Sequence, residues 1–306
     1  MAGNGNKDAT LCAFGVQNAR CVMKIVGEVM EMSSDDQVVA EALWRSPAIL
    51  KRAYADYRYG QLHYRIGRPA VSDKLPLVLF HQTGSSGRCY ENFTAEMARD
   101  RTALVVDSPS SGTSDPLPRA PFIEDFADAM EDLLDGLKLG PVDLMGDHTG
   151  AFVAVELAKR RSQQVRRVVL NAAPIFLEGE TAVRTYPRKP DLDGNHILAR
   201  WRRVLGFLAP TSITLGELEF IEGLRPGPFT YHGPHAVFSY PLGDNIPKVT
   251  QPLLILRAKD DLWEQTARAR PLIATGEMID LPQYGREMLM AHYREVAVLV
   301  RRFLDT

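Results

Sequence analysis

A doubly wound, mostly parallel α/β sheet carrying one helical insertion is the fold class this sequence predicts. Three observations lead there. Short, almost wholly apolar runs recur along the chain. Amphipathic stretches with helical spacing separate them. One run, Val142-Asp143-Leu144-Met145, passes through Gly146-Asp147-His148-Thr149-Gly150 straight into a helical pattern carrying Phe152, Val153, Val155 and Leu157.

Taken in order, residues 1–53 read as an N-terminal helical extension. Ser34-Asp35-Asp36-Gln37 offers a capping box, with Val38, Val39, Ala42 and Leu43 as the apolar stripe of a helix ended near Pro47. The stretch 22–32 is a second helical candidate. The extension is expected to pack against the body or against a second subunit, which would make a homodimer. Residues 62–66 alternate in polarity like an early antiparallel strand. Apolar runs at 75–80, 103–106, 142–145, 168–170, 253–256 and 277–281 suit a parallel sheet covered by helices on both faces. Phe122, Phe126, Ala129, Leu133 and Leu137 mark an amphipathic helix over 121–137; Val296, Val298, Leu299 and Phe303 mark the final one. About eighty residues separate the strand ending near Ala172 from the one starting at Leu253, too many for a structureless loop. A cap at 174–248 is therefore expected, with helices near 195–208 and 215–222 and a Gly/Pro/aromatic segment at 225–235. The core is then 54–173 together with 249–306.

With 306 residues, 45% of them hydrophobic, the chain can bury one large core. A formal net charge of -2 gives no reason to expect nucleic acid or a membrane surface as partner. Cys12, Cys21 and Cys89 show no Cys-x-x-Cys spacing. Neither a disulfide framework nor a thiolate metal site is expected, and a cytoplasmic location fits. No apolar run approaches the ~20 residues of a membrane span, and the N-terminus lacks the apolar core of a signal peptide.

Gly146 and Gly150 flank His148 in the pattern Gly-x-nucleophile-x-Gly, where small residues let a strained strand-to-helix turn pack its backbone closely. Three other segments accompany it. They are Leu79-Phe80-His81-Gln82-Thr83-Gly84-Ser85-Ser86, Asp107-Ser108-Pro109-Ser110-Ser111-Gly112-Thr113-Ser114-Asp115, and Leu254-Ile255-Leu256-Arg257-Ala258-Lys259-Asp260-Asp261. In this order they resemble the α/β-hydrolase superfamily: its His-Gly oxyanion loop, its Asp-x-Pro-Gly-x-Gly-x-Ser-Asp loop and its acid-presenting turn. The resemblance implies an α/β-hydrolase fold with a helical cap, a small-molecule substrate and no cofactor. Two departures stand out. The elbow position, where the family has serine, cysteine or aspartate, is His148. The family's terminal Gly-His falls on Gly285-Arg286, which puts Arg286 where the catalytic histidine stands. His292 then matches the usually structural histidine of the later Glu-His-Pro-like segment. The family's step from the strand end places the acid at Asp261, with Asp260 as the alternative.

Arginine, with a pKa above ~12, cannot take a proton from a serine, so the two replacements are mutually consistent. His148 is itself a base or a nucleophile, with an expected pKa of roughly 6–7.5. The backbone amides of Thr83 and Thr149, with Gln82 and Asp147 beside them, would hold an oxyanion or the substrate. Arg286 is expected to pair with Asp261 or Asp260. A different register would make Asp147 the nucleophile, with Met145 and Thr149 in the small-residue places. His81, Asp107 and the serines at 85, 86, 110 and 111 read as loop and turn residues. His232-x-x-His235 lacks a ligand partner, so no metal is expected. Arg200, Arg202 and Arg203 read as a solvated face. Hydrolysis of an ester, lactone or related carbonyl bond is the reaction implied. A lyase, decarboxylase or cyclase is the enzymatic alternative, and a ligand-binding relative that kept the pocket is the non-enzymatic one.

Overall fold

The computed structural model describes residues 44–180, 190–208 and 212–306, so the helices expected before residue 44 lie outside the described residues. Strands β1 (Leu50–Tyr57) and β2 (Gly60–Gly67) form an antiparallel hairpin. The remaining strands are β3 (Leu77–Phe80), β4 (Ala103–Val106), β5 (Val142–Asp147), β6 (Val165–Asn171), β7 (Leu253–Ala258) and β8 (Gly276–Leu281). Strand β2 pairs antiparallel with β4, and every pairing from β4 onward is parallel. One eight-stranded sheet results, in the order β1-β2-β4-β3-β5-β6-β7-β8.

All residues of β3, β4, β5 and β7 are buried, which is why they show in the sequence as unbroken apolar runs. Strand β1 is different. It begins at Leu50, inside the stretch assigned to the extension, so the sheet starts four residues before the expected boundary at 54. Leu50, Ala55 and Tyr57 are buried, whereas Lys51, Arg52, Tyr54 and Asp56 face solvent on an edge strand. Those charges hid it.

The helices are α1 (Glu91–Met97), α2 (Ile123–Gly136), α3 (Thr149–Arg160), α4 (Asn195–Leu208), α5 (Ile213–Glu222), α6 (His232–Phe238) and α7 (Tyr293–Leu304), with short turns between them. Helix α2 buries Phe126, Ala129 and Leu133 of the expected stripe, joined by Ile123 and Met130, whereas Phe122 caps the helix and is exposed. Helix α3 is buried from Gly150 to Ala158 against the centre of the sheet. In α7 the buried stripe runs through Val296, Val300 and Leu304, while Val298 points outward. Helices α4 to α6 lie in the insertion between β6 and β7. No helix among the described residues is long and apolar enough to cross a membrane. The carboxyl ends of β5, β6 and β7 deliver polar residues, the usual place for a site in such a sheet.

Candidate active site

Two close backbone approaches force the turn between β5 and α3. A Cβ on Gly146 would lie 2.2 Å from the Gly150 carbonyl oxygen, and one on Gly150 would lie 2.1 Å from that of Phe80. Only glycine fits either place. His148 sits between them at φ 48°, ψ -107°, a conformation that costs a residue with a Cβ about 1–3 kcal/mol. Its amide donates to Asn171 O at 2.8 Å, and its carbonyl accepts from the Ala151 amide at 2.9 Å. Asp147 is the last residue of β5, so His148 and not Asp147 occupies the apex.

The imidazole is buried and engaged at both ends. Nδ1 lies 2.8 Å from Asp147 Oδ1, and Nε2 lies 2.8 Å from Asp260 Oδ2. A neutral imidazole has one N–H, so a second proton must reside on the ring or on one of the carboxylates. Burial is the largest single influence and opposes a charged ring. The Asp147 carboxylate and the hydrogen bonds to both aspartates outweigh it and lift His148 from 6.5 to about 9. The reciprocal effect holds Asp260 below its usual value despite its burial. The expected value of roughly 6–7.5 set burial against neighbouring carboxylates; it is corrected upward, because here the two aspartates outweigh burial. In this state neither ring nitrogen offers a free lone pair.

Asp147 has further partners: it also accepts from Tyr90 Oη at 2.5 Å and from Asn171 Nδ2 at 2.7 Å. Asp261, the acid expected to serve the elbow, instead binds Arg286 Nη1 at 2.7 Å. Asp260 takes the elbow because its Oδ1 also accepts from the Leu262 amide at 2.8 Å, a local turn that rotates it inward. The contact between positions 286 and 261 is therefore kept with a guanidinium in place of an imidazole. Phe207 of α4 lies under that guanidinium, with Arg286 Cζ 5.1 Å from the ring centroid. His292 is elsewhere, against Tyr284 with a 4.7 Å centroid separation. Potential metal-ligand atoms of His148, Asp260 and Asp261 come within 4.8 Å of one another. A cation there would have to displace the Nε2 proton and compete with Arg286 for Asp261.

The two segments expected to supply oxyanion amides, at Thr83 and Thr149, lie against each other. The Thr83 amide donates to Thr149 Oγ1 at 3.2 Å, and the two hydroxyl oxygens lie 2.6 Å apart. Thr149 is the first residue of α3, so its own amide is at the helix N-terminus. The insertion presses on this loop: a Cβ on Gly233 of α6 would meet Thr83 Oγ1 at 2.0 Å. Gln82 Nε2 reaches Glu219 Oε1 of α5 at 3.4 Å. Arg200 is not part of a solvated face, because its guanidinium donates to Gly84 O at 2.7 Å. His81 and Asp107 hold loops together. His81 bridges Gln82 O and the Ser108 amide, while Asp107 accepts from His63, Arg65 and the amides of Gly87 and Thr113. Tyr90, Asn171 and Glu219 went unnoticed in the sequence. Only Asn171 carried a signal there, as a polar residue closing the apolar run Val168-Val169-Leu170 at a strand's carboxyl end.

A strained elbow on a central strand, with an acid at a neighbouring strand end, goes with a matching family profile over residues 77–299, that of the alpha/beta hydrolase family. The chain belongs to that family. Among curated relatives, the 2-hydroxymuconate semialdehyde hydrolase of Pseudomonas sp. (strain CF600) is 30% identical over 165 residues, 50% of this chain and 55% of that protein. The 2-hydroxy-6-oxo-2,4-heptadienoate hydrolase of Pseudomonas putida is 28% identical over 165 residues, 50% of this chain and 56% of that one. The chain thus matches little more than half the length of these relatives. Among solved structures, the enol-lactonase from Burkholderia xenovorans LB400 superposes with a TM-score of 0.71 at 21% identity, covering 83% of this chain and 100% of that one. That likeness shows the fold.

Proposed function

We propose that this protein is a hydrolase cleaving an ester, lactone or related carbonyl bond of a small organic molecule, with His148 as its proton donor. The observation that carries the reading is the doubly hydrogen-bonded imidazole at the apex of the elbow. A ring protonated at both nitrogens is neither base nor nucleophile, but it can give a proton away. The substrate carbonyl oxygen would sit on the Thr149 amide, and on the Thr83 amide once the Thr149 hydroxyl turns aside. Water adds to the carbonyl carbon and releases a proton, which returns to the ring through solvent after the leaving step. As the departing oxygen displaces Asp260 from Nε2, His148 hands it the Nε2 proton while Asp147 holds the ring in place. Arg286 and Asp261 act as a positioning pair, and the insertion at 174–248 serves as the cap. Relatives named as a semialdehyde hydrolase and an enol-lactonase favour hydrolysis over lyase chemistry and over a non-catalytic binding role.

The test is turnover of ethyl butyrate and dihydrocoumarin by wild type and His148→Gln across the alkaline range. Wild type should turn over and should lose kcat as pH rises through about 9, and the variant should lose most of its turnover at every pH. A rate that climbs through that pH would overturn the donor role. No turnover of either compound would overturn the hydrolytic reading itself.

A further inference from the structure

Helix α5 brings one acidic side chain to the site for which no step above has a use. Glu219 is buried; among the described residues its Oε1 receives only the long 3.4 Å hydrogen bond from Gln82, and its Oε2 is buried without a hydrogen-bond partner. Gln82 Oε1 is likewise buried without a partner. Such atoms lose their hydration with nothing in return and so call for an explanation. The contrast with Glu222, three residues on, is sharp. That carboxylate accepts from Ser86 Oγ at 2.8 Å and from Arg225 Nε at 2.9 Å. Glu222 and Arg200 together tie the insertion to the oxyanion loop, the latter through Gly84 O, so Glu219 is carried on a fixed support.

We propose that Glu219 is the general base of the site, taking a proton from the attacking water while His148 supplies one to the leaving oxygen. This rests on the hydrolytic reading above. The charged and titratable groups around Glu219 come from every side. They are His148 and Asp147 at the elbow, Arg286 after β8, Arg200 from α4, Cys89 and Tyr90 before α1, and Glu222 on its own helix. Burial raises Glu219 most, and Asp147 adds to it; Arg286, Arg200 and His148 pull the other way without cancelling the rise. A carboxylate raised above its usual value accepts a proton more readily, while a histidine raised to about 9 keeps one to give. The step balances. The water oxygen bonds to the carbonyl carbon as its proton passes to Glu219; the carbon–oxygen bond of the ester breaks as the leaving oxygen takes the proton of Nε2. Proton return from Glu219 to His148 through solvent resets the site.

The experiment compares wild type, Glu219→Gln and Glu219→Ala on ethyl butyrate and dihydrocoumarin. Wild type should show a rate that rises with pH on the acid side and falls through about 9. Glu219→Gln, close in size and uncharged, should lose about 10²–10⁴-fold in kcat and lose the acid-side limb while keeping the alkaline one. Added formate should restore turnover to Glu219→Ala in proportion to its concentration, which a purely structural role would not produce. Retention of the acid-side limb in Glu219→Gln, or no formate response in Glu219→Ala, overturns the proposal and leaves the hydrolase reading standing. A wild type inactive on both compounds removes both.

Discussion

Replacing Asp260 by asparagine tests the charge state of the elbow most directly. The amide keeps the size of the side chain and an oxygen that can accept from Nε2, so the turn around Leu262 should survive. The anionic acceptor is lost. A hydrogen bond to a charged group contributes about 1.5–3 kcal/mol, which at 1.36 kcal/mol per unit is about 1–2 units of His148 pKa. The His148 ring proton resonance, followed by NMR with His148→Gln as the assignment control, should titrate near 9 in wild type. It should move about 1–2 units lower in Asp260→Asn. The same shift sets a stability profile. His148 is raised from 6.5 to about 9 in the folded chain, so its contribution is complete below about 6.5 and disappears as pH rises through about 9. The size is about 3 kcal/mol, read as the extra loss of stability in urea that wild type shows over His148→Gln across that window. A His148 resonance titrating between about 6 and 7, or one unmoved by Asp260→Asn, would refute the argument.

Arg286→Ala should lower stability by about 1–3 kcal/mol, less than for a fully enclosed pair, because the Asp261 partner is 27% exposed. It should also raise the His148 titration further, since the guanidinium opposes the imidazolium; urea unfolding and NMR check the two effects separately. Asp107 is pulled down to about 2 by His63 and Arg65 against the effect of its own burial. Its stabilisation is therefore present above about 3.8 and vanishes as pH falls through about 2, and Asp107→Asn should flatten acid unfolding across that window. His148→Ser alone should not react with fluorophosphonate probes, because Arg286 cannot accept the serine proton. Joined with Arg286→His, whose ring would face Asp261, it should react; labelling of the single variant would show that Glu219 or Asp260 takes the serine proton without an imidazole.

Most of the fold was legible because burial on both faces writes itself into a strand as an unbroken apolar run, as in Leu77–Phe80 and Val142–Asp147. Strand β1 was not legible. An edge strand needs only one buried face, and Lys51, Arg52 and Asp56 lie within it. In the site, the elbow apex followed from the glycine spacing, a local property, and the Arg286–Asp261 contact, with Asp260 as the alternative, from the family resemblance. The Asp260 contact did not follow, because one hydrogen bond to the Leu262 amide decides which of two adjacent aspartates turns inward. Tyr90 and Glu219 arrive from segments far away in sequence, and no local pattern marks them.

The two departures from the family pattern form one electrostatic arrangement. A serine and its histidine are both neutral at rest, whereas an imidazolium and a guanidinium place two positive charges at the strand ends. Here those charges meet three aspartates, Asp147, Asp260 and Asp261, within hydrogen-bond distance. Removing either cation leaves a carboxylate facing a partner that no longer balances it, a loss that grows with enclosure. His148 is the more enclosed of the two, so its removal should disturb the site more than removal of Arg286. The ring is fixed on both sides, and its protonation is set by the aspartates rather than by solvent. That is the condition under which a histidine at an elbow acts by holding a proton, where a serine there would act by losing one.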